Sequence, residues 1–183
     1  CAGNAGAAGA YSDGNRRGYP QGKPLGMTTL RRATWLAALI PGALLGGALG
    51  SEYIGGLFPC EMCYWQRWPH EAAIAFALMA LFVHDADVKR LFVLIAALAI
   101  LASGAVGIFH AGVEYRWWDG ITACTRAPGT GGGNIMADIM NAPLVSCNQP
   151  QWTLGPISLA GFNAIFSIGG ALLVLSMLGK RKA

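Results

Sequence analysis

Two cysteines separated by two residues, Cys60 and Cys63, are the residues of this sequence best suited to do chemistry. A Cys-x-x-Cys pair either binds a metal or undergoes reversible oxidation, because thiolates are both metal ligands and nucleophiles. Arg67 follows one helical turn after Cys63. A helix N-terminus and a nearby cation would both favour the thiolate form of Cys63. The pattern therefore predicts a reactive thiol pair with an arginine beside it.

Two further cysteines, Cys124 and Cys147, lie 23 residues apart later in the chain. In an oxidising compartment an even number of cysteines indicates disulfides, which could be structural cross-links or redox-active pairs. A zinc site is disfavoured, because the ligands of a four-cysteine zinc site usually come in two closely spaced pairs. A thioredoxin fold is also disfavoured, since no βαβ pattern surrounds Cys60 and Cys63.

The elements that must position these cysteines are membrane helices. The chain is 54% hydrophobic and 12% charged, with a mean hydropathy of +0.44, which is typical of a membrane protein. Apolar stretches near the length of about 20 residues needed to cross a bilayer predict an all-α, four-helix transmembrane bundle. The expected spans are about 34–53, 63–83, 91–113 and 154–178.

The second span decides where Cys63 lies. Its apolar run, 72–83, could by itself be a buried or interfacial helix. A helix starting at Pro69 would be only about 22 Å long, too short for a hydrocarbon core of about 30 Å. A helix starting near Cys63 would reach about 31 Å. We therefore expect Cys63 at the N-terminus of this helix.

Positive charges predict the orientation of the spans. Basic residues precede the first span, separate the second from the third and follow the fourth, at Arg31, Arg32, Lys89, Arg90, Lys180, Arg181 and Lys182. The positive-inside rule then places both termini in the cytoplasm and both cysteine-bearing segments outside. His110 would end the third span at the depth of Cys63. An intramembrane histidine there is either a helix contact or a functional group.

Small residues in two of the spans predict close helix packing in lipid. The first span carries Gly42, Gly46 and Gly50 at four-residue intervals, and the third carries Gly104 and Gly107. Glycine is common in membrane helices generally, so glycine richness alone is the alternative explanation for the first set.

The segment 1–26 differs in composition from the membrane domain, 27–183. It is rich in glycine, alanine and asparagine without apolar periodicity, which predicts a disordered extension. Met27 would be a natural start of the membrane domain. Cys1 could be a lipidated N-terminal cysteine, and we leave it out of the chemistry.

The run from Pro59 to Pro69, PCEMCYWQRWP, resembles the disulfide bond formation protein B (DsbB) family. The resemblance covers roughly 27–182 and includes the four spans and the two cysteines of the second outward segment. Members are bacterial inner-membrane enzymes that reoxidise a periplasmic dithiol oxidase with quinone. The resemblance implies a multi-pass inner-membrane protein, ubiquinone or menaquinone as electron acceptor, and a thioredoxin-fold, DsbA-like partner.

The resemblance also implies a role for each cysteine. Cys60–Cys63 would be the quinone-facing disulfide, with Cys63 engaging the ring and Arg67 as its polar support. Cys124–Cys147 would exchange with the partner, and Cys124 would form the mixed disulfide. A transient Cys60–Cys147 bond would then relay electrons between the two segments.

The expected activity is that of a protein-dithiol:quinone oxidoreductase supporting disulfide formation in exported proteins. His110 matches a family histidine implicated near quinone. We expect no metal and no nucleic-acid partner. One alternative is a non-catalytic membrane scaffold with structural disulfides. Another is a vitamin K epoxide reductase-like enzyme, but in that family the quinone-facing Cys-x-x-Cys comes near the last helix of the core, whereas here it follows the first span.

Overall fold

The computed structural model describes residues 25–122, 125 and 145–179. Within these residues the protein is mostly helical, with one short antiparallel hairpin before the last helix. The elements are α1 (Leu25–Tyr53), α2 (Glu61–Phe82), α3 (Ala86–Glu114), β1 (Thr153–Leu154), β2 (Ile157–Ser158) and α4 (Leu159–Gly179).

Three of the four described helices are long and apolar enough to cross a membrane, namely α1 from Thr28 onward, α3 and α4. The helix α2 is not among them, although its 22 residues would extend about 33 Å. Its first half carries Gln66, Arg67, His70 and Glu71, which lower its hydropathy. The fourth crossing therefore stays a prediction.

Helix bounds differ from the expected spans at both ends of the domain. The first helix already begins at Leu25, so two residues of the segment expected to be disordered are helical, while 1–24 lie outside the described residues. The last helix begins at Leu159 and not at Leu154, because 153–158 form the hairpin. Gly155 makes this tight turn possible by adopting a φ of 61°, which glycine does without a steric penalty.

Small side chains form the core and let the helices approach closely. Its fully buried members are mostly alanines, with Val93, Ile100 and Val174 among the larger ones. A Cβ added to Gly104 would lie 2.7 Å from the Ile168 side chain, so close packing of α3 on α4 is confirmed. Nothing described lies within 4 Å of a Cβ at Gly42, Gly46 or Gly50. The prediction that these three glycines of α1 allow close packing against another helix is therefore wrong within the described residues.

Hydrogen bonds tie the end of α3 to the hairpin and fix the loop segments around the start of α2. The Tyr115 hydroxyl donates to the carbonyl of Pro156 at 2.6 Å and accepts from the backbone N–H of Ser158 at 2.9 Å. Gln151 donates from Nε2 to the carbonyl of Phe58 at 2.7 Å. The 145–152 segment is thereby held beside the α1–α2 loop.

Candidate functional site

The two cysteines of the Cys-x-x-Cys motif lie at the N-terminus of α2, with both thiols free. Cys60 is the N-cap, and its Sγ accepts a hydrogen bond from the backbone N–H of Cys63 at 3.3 Å. The sulfur atoms are 2.8 Å apart. The hydrogen bond with Cys63 and burial raise the pKa of the Cys60 thiol far above its usual range. Of the two sulfurs, Cys63 is therefore the one favoured to react as a thiolate.

Arg67 lies one turn along α2 from Cys63 and is buried against α1. One guanidinium nitrogen, Nη1, pairs with the carboxylate of Glu52, and Nη2 donates to the carbonyl of Ala48 at 3.2 Å. The guanidinium carbon also lies 5.5 Å from the centre of the Tyr64 ring, within cation–π distance. Arg67 is thus a charge-balanced group with a fixed position.

His110 on α3 lies beside Cys60 and is oriented by Gln66. The carbonyl of Met62 can only accept a hydrogen bond, and Gln66 Nε2 donates to it at 3.2 Å. The same nitrogen lies 2.8 Å from Nδ1 of His110, so Nδ1 accepts and the ring proton of neutral His110 is on Nε2. That Nε2 lies 3.6 Å from Cys60 Sγ and 3.7 Å from the Glu114 carboxylate. The N–H of His110 therefore lies beside the Cys60 sulfur, the Glu114 carboxylate and the backbone of Cys147.

A buried polar network continues from Gln66 into the bundle. Gln66 Oε1 accepts from Nδ2 of Asn163 on α4 at 2.8 Å, and Asn163 Oδ1 lies 2.9 Å from Nε2 of His70. Ser103 on α3 contacts His70 Nε2 at 2.9 Å. Gly107 allows this approach, because a Cβ there would lie 3.1 Å from the Asn163 amide.

Sequence reasoning missed Gln66, His70 and Asn163, although a signal was present. Cys63, Gln66, Arg67 and His70 recur at the i, i+3, i+4, i+7 spacing that marks one helix face. Polar groups on the buried face of a membrane helix indicate a functional site. Asn163 is the one amide side chain in α4, whose other polar side chains are two serines.

Cys147 lies next to Cys60 in a small buried cluster with Met62 and Val113. It is disulfide-bonded and fully buried. Cys124 lies outside the described residues, so the predicted Cys124–Cys147 pairing stays a prediction. The structure does bring one cysteine of the second segment into the same cluster as one cysteine of the first.

The sulfur pair opens onto a cavity of about 300 Å³ that all four helices line. Its wall is mainly apolar, with aromatic side chains from the α1–α2 loop, the hairpin region and α4. Its polar lining includes Cys63, Gln66, Arg67, His70, His110, Glu114 and Asn163. An apolar cavity with a few converging polar groups is typical of a binding site for a small organic molecule.

The thiols and His110 also form a possible metal-ligand set. The two sulfur atoms and one ring nitrogen of His110 all lie within 4.8 Å of one another. A tetrahedral zinc ion would hold two sulfur ligands about 3.8 Å apart, whereas these sulfurs are 2.8 Å apart. The spacing therefore suits closure of a Cys60–Cys63 bond better than metal binding.

Comparisons with known proteins identify the family of this chain. The family model described as "Disulfide bond formation protein DsbB" matches residues 30–177, which include every described site residue. The chain is also similar to "Uncharacterized protein RP370" of Rickettsia prowazekii (strain Madrid E), with 27% identity over 128 residues, covering 68% of this chain and 73% of the relative. No solved structure matches significantly.

Proposed function

Because this chain belongs to the DsbB family of disulfide bond formation proteins, we propose that it is a protein-dithiol:quinone oxidoreductase. Family membership supports the assignment as a membrane oxidoreductase that acts in disulfide formation. That quinone is its electron acceptor is the more specific part of the proposal. The observation that carries it is that Cys63 and Arg67 share the wall of one apolar cavity. Such a cavity suits an uncharged ring with polar oxygen atoms at its edge.

The residues present fit a quinone. Arg67 is a hydrogen-bond donor without acceptor capacity, and its position is fixed by Glu52 and Ala48, so it can hold a carbonyl oxygen. Bound quinone would supply an acceptor for two electrons and two protons. Cys63 would act as the nucleophilic sulfur, and the Cys60 thiol would give up its proton as the Cys60–Cys63 bond closes. His110 would position Cys60 through its Nε2–H.

Electrons would reach this pair by thiol–disulfide exchange. A thiolate of the partner attacks Cys124, and Cys147 leaves as a thiolate. With the Cys60–Cys63 disulfide closed, Cys147 then attacks Cys60, which releases Cys63 as a thiolate and forms the transient Cys60–Cys147 bond. The second partner thiolate resolves the partner–Cys124 bond, and Cys124 in turn resolves the Cys60–Cys147 bond. One partner disulfide and one Cys60–Cys63 dithiol result, and oxidation of that dithiol passes two electrons to quinone. Burial of Cys60 and Cys147 in one cluster supports the relay.

We propose four crossings in a bacterial inner membrane, with both termini cytoplasmic and the cysteine segments periplasmic. The partner would be a periplasmic, thioredoxin-fold, DsbA-like dithiol oxidase. The distribution of basic residues supports the orientation. Exposed aromatic side chains beside the thiol end support its position at a membrane surface, where aromatic residues are enriched; they are Tyr53, Phe58, Trp117 and Trp152.

A quinone-reduction assay tests the proposal. Purified full-length protein in lipid nanodiscs is supplied with a reduced DsbA-like partner and with ubiquinone-1 or a soluble menaquinone analogue. We expect the quinone absorbance to fall as quinol forms, and Cys63→Ser to abolish this signal. Cys1→Ser is the matched control and should leave turnover unchanged. Near-normal quinone reduction by Cys63→Ser would contradict the enzymatic role.

A further inference from the structure

His70 is a buried cavity residue to which neither the sequence pattern nor the proposed relay gives a role. It lines the same cavity as Cys63 and Arg67 and is 3% exposed. Arg67 and His70 are three residues apart on α2. They therefore lie on neighbouring turns of one helix face, separated by a rise of about 4.5 Å. His70 occupies the deeper turn, further from the cysteines.

The hydrogen-bond network determines which nitrogen of His70 carries the proton. Asn163 donates from Nδ2 to Gln66 Oε1 and to the carbonyl of Ser103, so its Oδ1 is the atom facing His70 Nε2. Ser103 uses its hydroxyl hydrogen on the carbonyl of Gln66 at 2.8 Å, and Ser167 uses its own on Asn163 Oδ1 at 3.0 Å. All three neighbours therefore accept, and Nε2 must donate.

The other ring nitrogen is left as an acceptor with nothing to accept from. With the proton on Nε2, neutral His70 presents a lone pair at Nδ1. Among the residues that the structure describes, Nδ1 has no hydrogen-bond partner. A buried acceptor without a donor is costly. His70 is one of the residues that line the cavity, and a molecule there that reaches Nδ1 with a hydrogen-bond donor would remove that cost.

We propose that His70 Nδ1 is a binding subsite for a hydroxyl of the quinol product. This inference rests on the proposed function and deepens it. A quinone oxygen can only accept hydrogen bonds, so it finds a donor in Arg67 and none in His70 Nδ1. A quinol hydroxyl can also donate. His70 therefore binds the reduced ring better than the oxidised ring, and by linkage this preference favours transfer of two electrons and two protons into the cavity.

Binding measurements that do not depend on turnover test the proposal. The full-length Cys63→Ser protein is used in nanodiscs because it cannot complete electron transfer. It is titrated anaerobically with three probes: ubiquinone-1, ubiquinol-1, and the ether of ubiquinol-1 in which both hydroxyls are methylated. Tryptophan fluorescence reports binding. We expect the quinol to bind about 10-fold more tightly than the ether, which lacks the donor; this corresponds to one hydrogen bond to an otherwise unsatisfied acceptor.

In the same background, His70→Gln keeps an amide donor near the Nε2 position and removes the ring acceptor. We expect it to weaken quinol binding about 10-fold, with little change for ubiquinone-1 or the ether. His84→Gln, in the exposed α2–α3 loop, is the matched control and should change neither. If His70→Gln unfolds, the His70 subsite is tested by one comparison alone, namely whether the protein that retains His70 binds quinol more tightly than the ether.

The outcomes separate the two proposals. If the His70 protein binds none of the three probes saturably, the quinone site itself is refuted. If ubiquinone-1 binds but quinol and ether bind equally, or if folded His70→Gln retains the preference for quinol, only the His70 subsite is refuted. A selective loss of ubiquinone-1 binding in His70→Gln also overturns it, because His70 would then be a donor.

Discussion

The guanidinium of Arg67 on α2 is held by the carboxylate of Glu52 on α1, in the wall of the cavity that Cys63 faces. The side chains are 10% and 18% exposed, so neither charge is well solvated. The pair joins α1 to α2. It also fixes the direction in which Arg67 can offer its N–H groups.

Loss of the Glu52 charge should therefore affect both stability and the site. Glu52→Gln leaves the Arg67 charge uncompensated, and we expect a loss of about 1–3 kcal/mol in unfolding free energy. Thermal unfolding in detergent, followed by tryptophan fluorescence, measures this. Glu61→Gln removes an exposed carboxylate at the start of α2 and is the control; an equal loss in both variants would contradict a specific pair.

Arg67→Met should weaken quinone use more than partner exchange. Removal of a charged donor from an apolar cavity should raise the KM for quinone about tenfold or more, whereas the rate of exchange with the reduced partner should stay near the wild-type value. Arg67→Lys keeps the charge but loses the planar fork, so we expect an intermediate KM. Stopped-flow kinetics separate the two half-reactions, and an unchanged KM in Arg67→Met would exclude Arg67 from quinone binding.

Gln66 should act as a positioning residue for His110. In Gln66→Leu the donor to His110 Nδ1 is lost, so we expect the imidazole to populate both tautomers. The ¹⁵N chemical shifts of the ring report this directly. Reoxidation of Cys60–Cys63 should slow by about tenfold, with a small change in the KM for quinone. Gln151→Leu should leave the His110 shifts unchanged, and a single Nε2–H tautomer in Gln66→Leu would contradict the role.

Cys60 and Cys147 should form a disulfide readily when their other partners are removed. In the double variant Cys63→Ser, Cys124→Ser, we expect a Cys60–Cys147 bond under mild oxidation, because both sulfurs lie in one buried cluster. Peptide mass spectrometry without reduction identifies it. The variant Cys60→Ser, Cys124→Ser leaves Cys63 to pair with Cys147 and should cross-link more slowly. Equal yields would show that the cluster imposes no preference.

Gly112 should not tolerate a side chain. A Cβ there would lie 2.0 Å from the Trp118 ring, whose Nε1 donates to the carbonyl of Phe109 at 2.9 Å. Gly112→Ala must displace this ring, and we expect a loss of about 1–3 kcal/mol with an altered tryptophan emission spectrum. Gly46→Ala meets nothing within 4 Å and should be neutral or slightly stabilising. Equal stability of the two variants would contradict the packing.

The helical class and the reactive thiol pair could be predicted from the sequence because they depend on local properties. Runs of apolar residues predict helices of membrane length, as in α3. The spacing of Cys60, Cys63 and Arg67 predicts a thiol at a helix N-terminus, since this requires only the geometry of one helix. The same reasoning did not identify the hairpin before α4, because a short turn is specified by few residues.

The partners of the site residues were decided only by the tertiary structure. Pairing of Arg67 with Glu52, contact of His110 with Cys60, and the network from Gln66 through Asn163 to His70 join residues on different helices. These contacts depend on the rotation and depth of each helix relative to its neighbours, which close packing at Gly104 and Gly107 sets. Periodicity along one helix does not contain that information. The Cys-x-x-Cys motif alone therefore predicts redox chemistry, while the assembled bundle places its sulfurs on the wall of an apolar cavity.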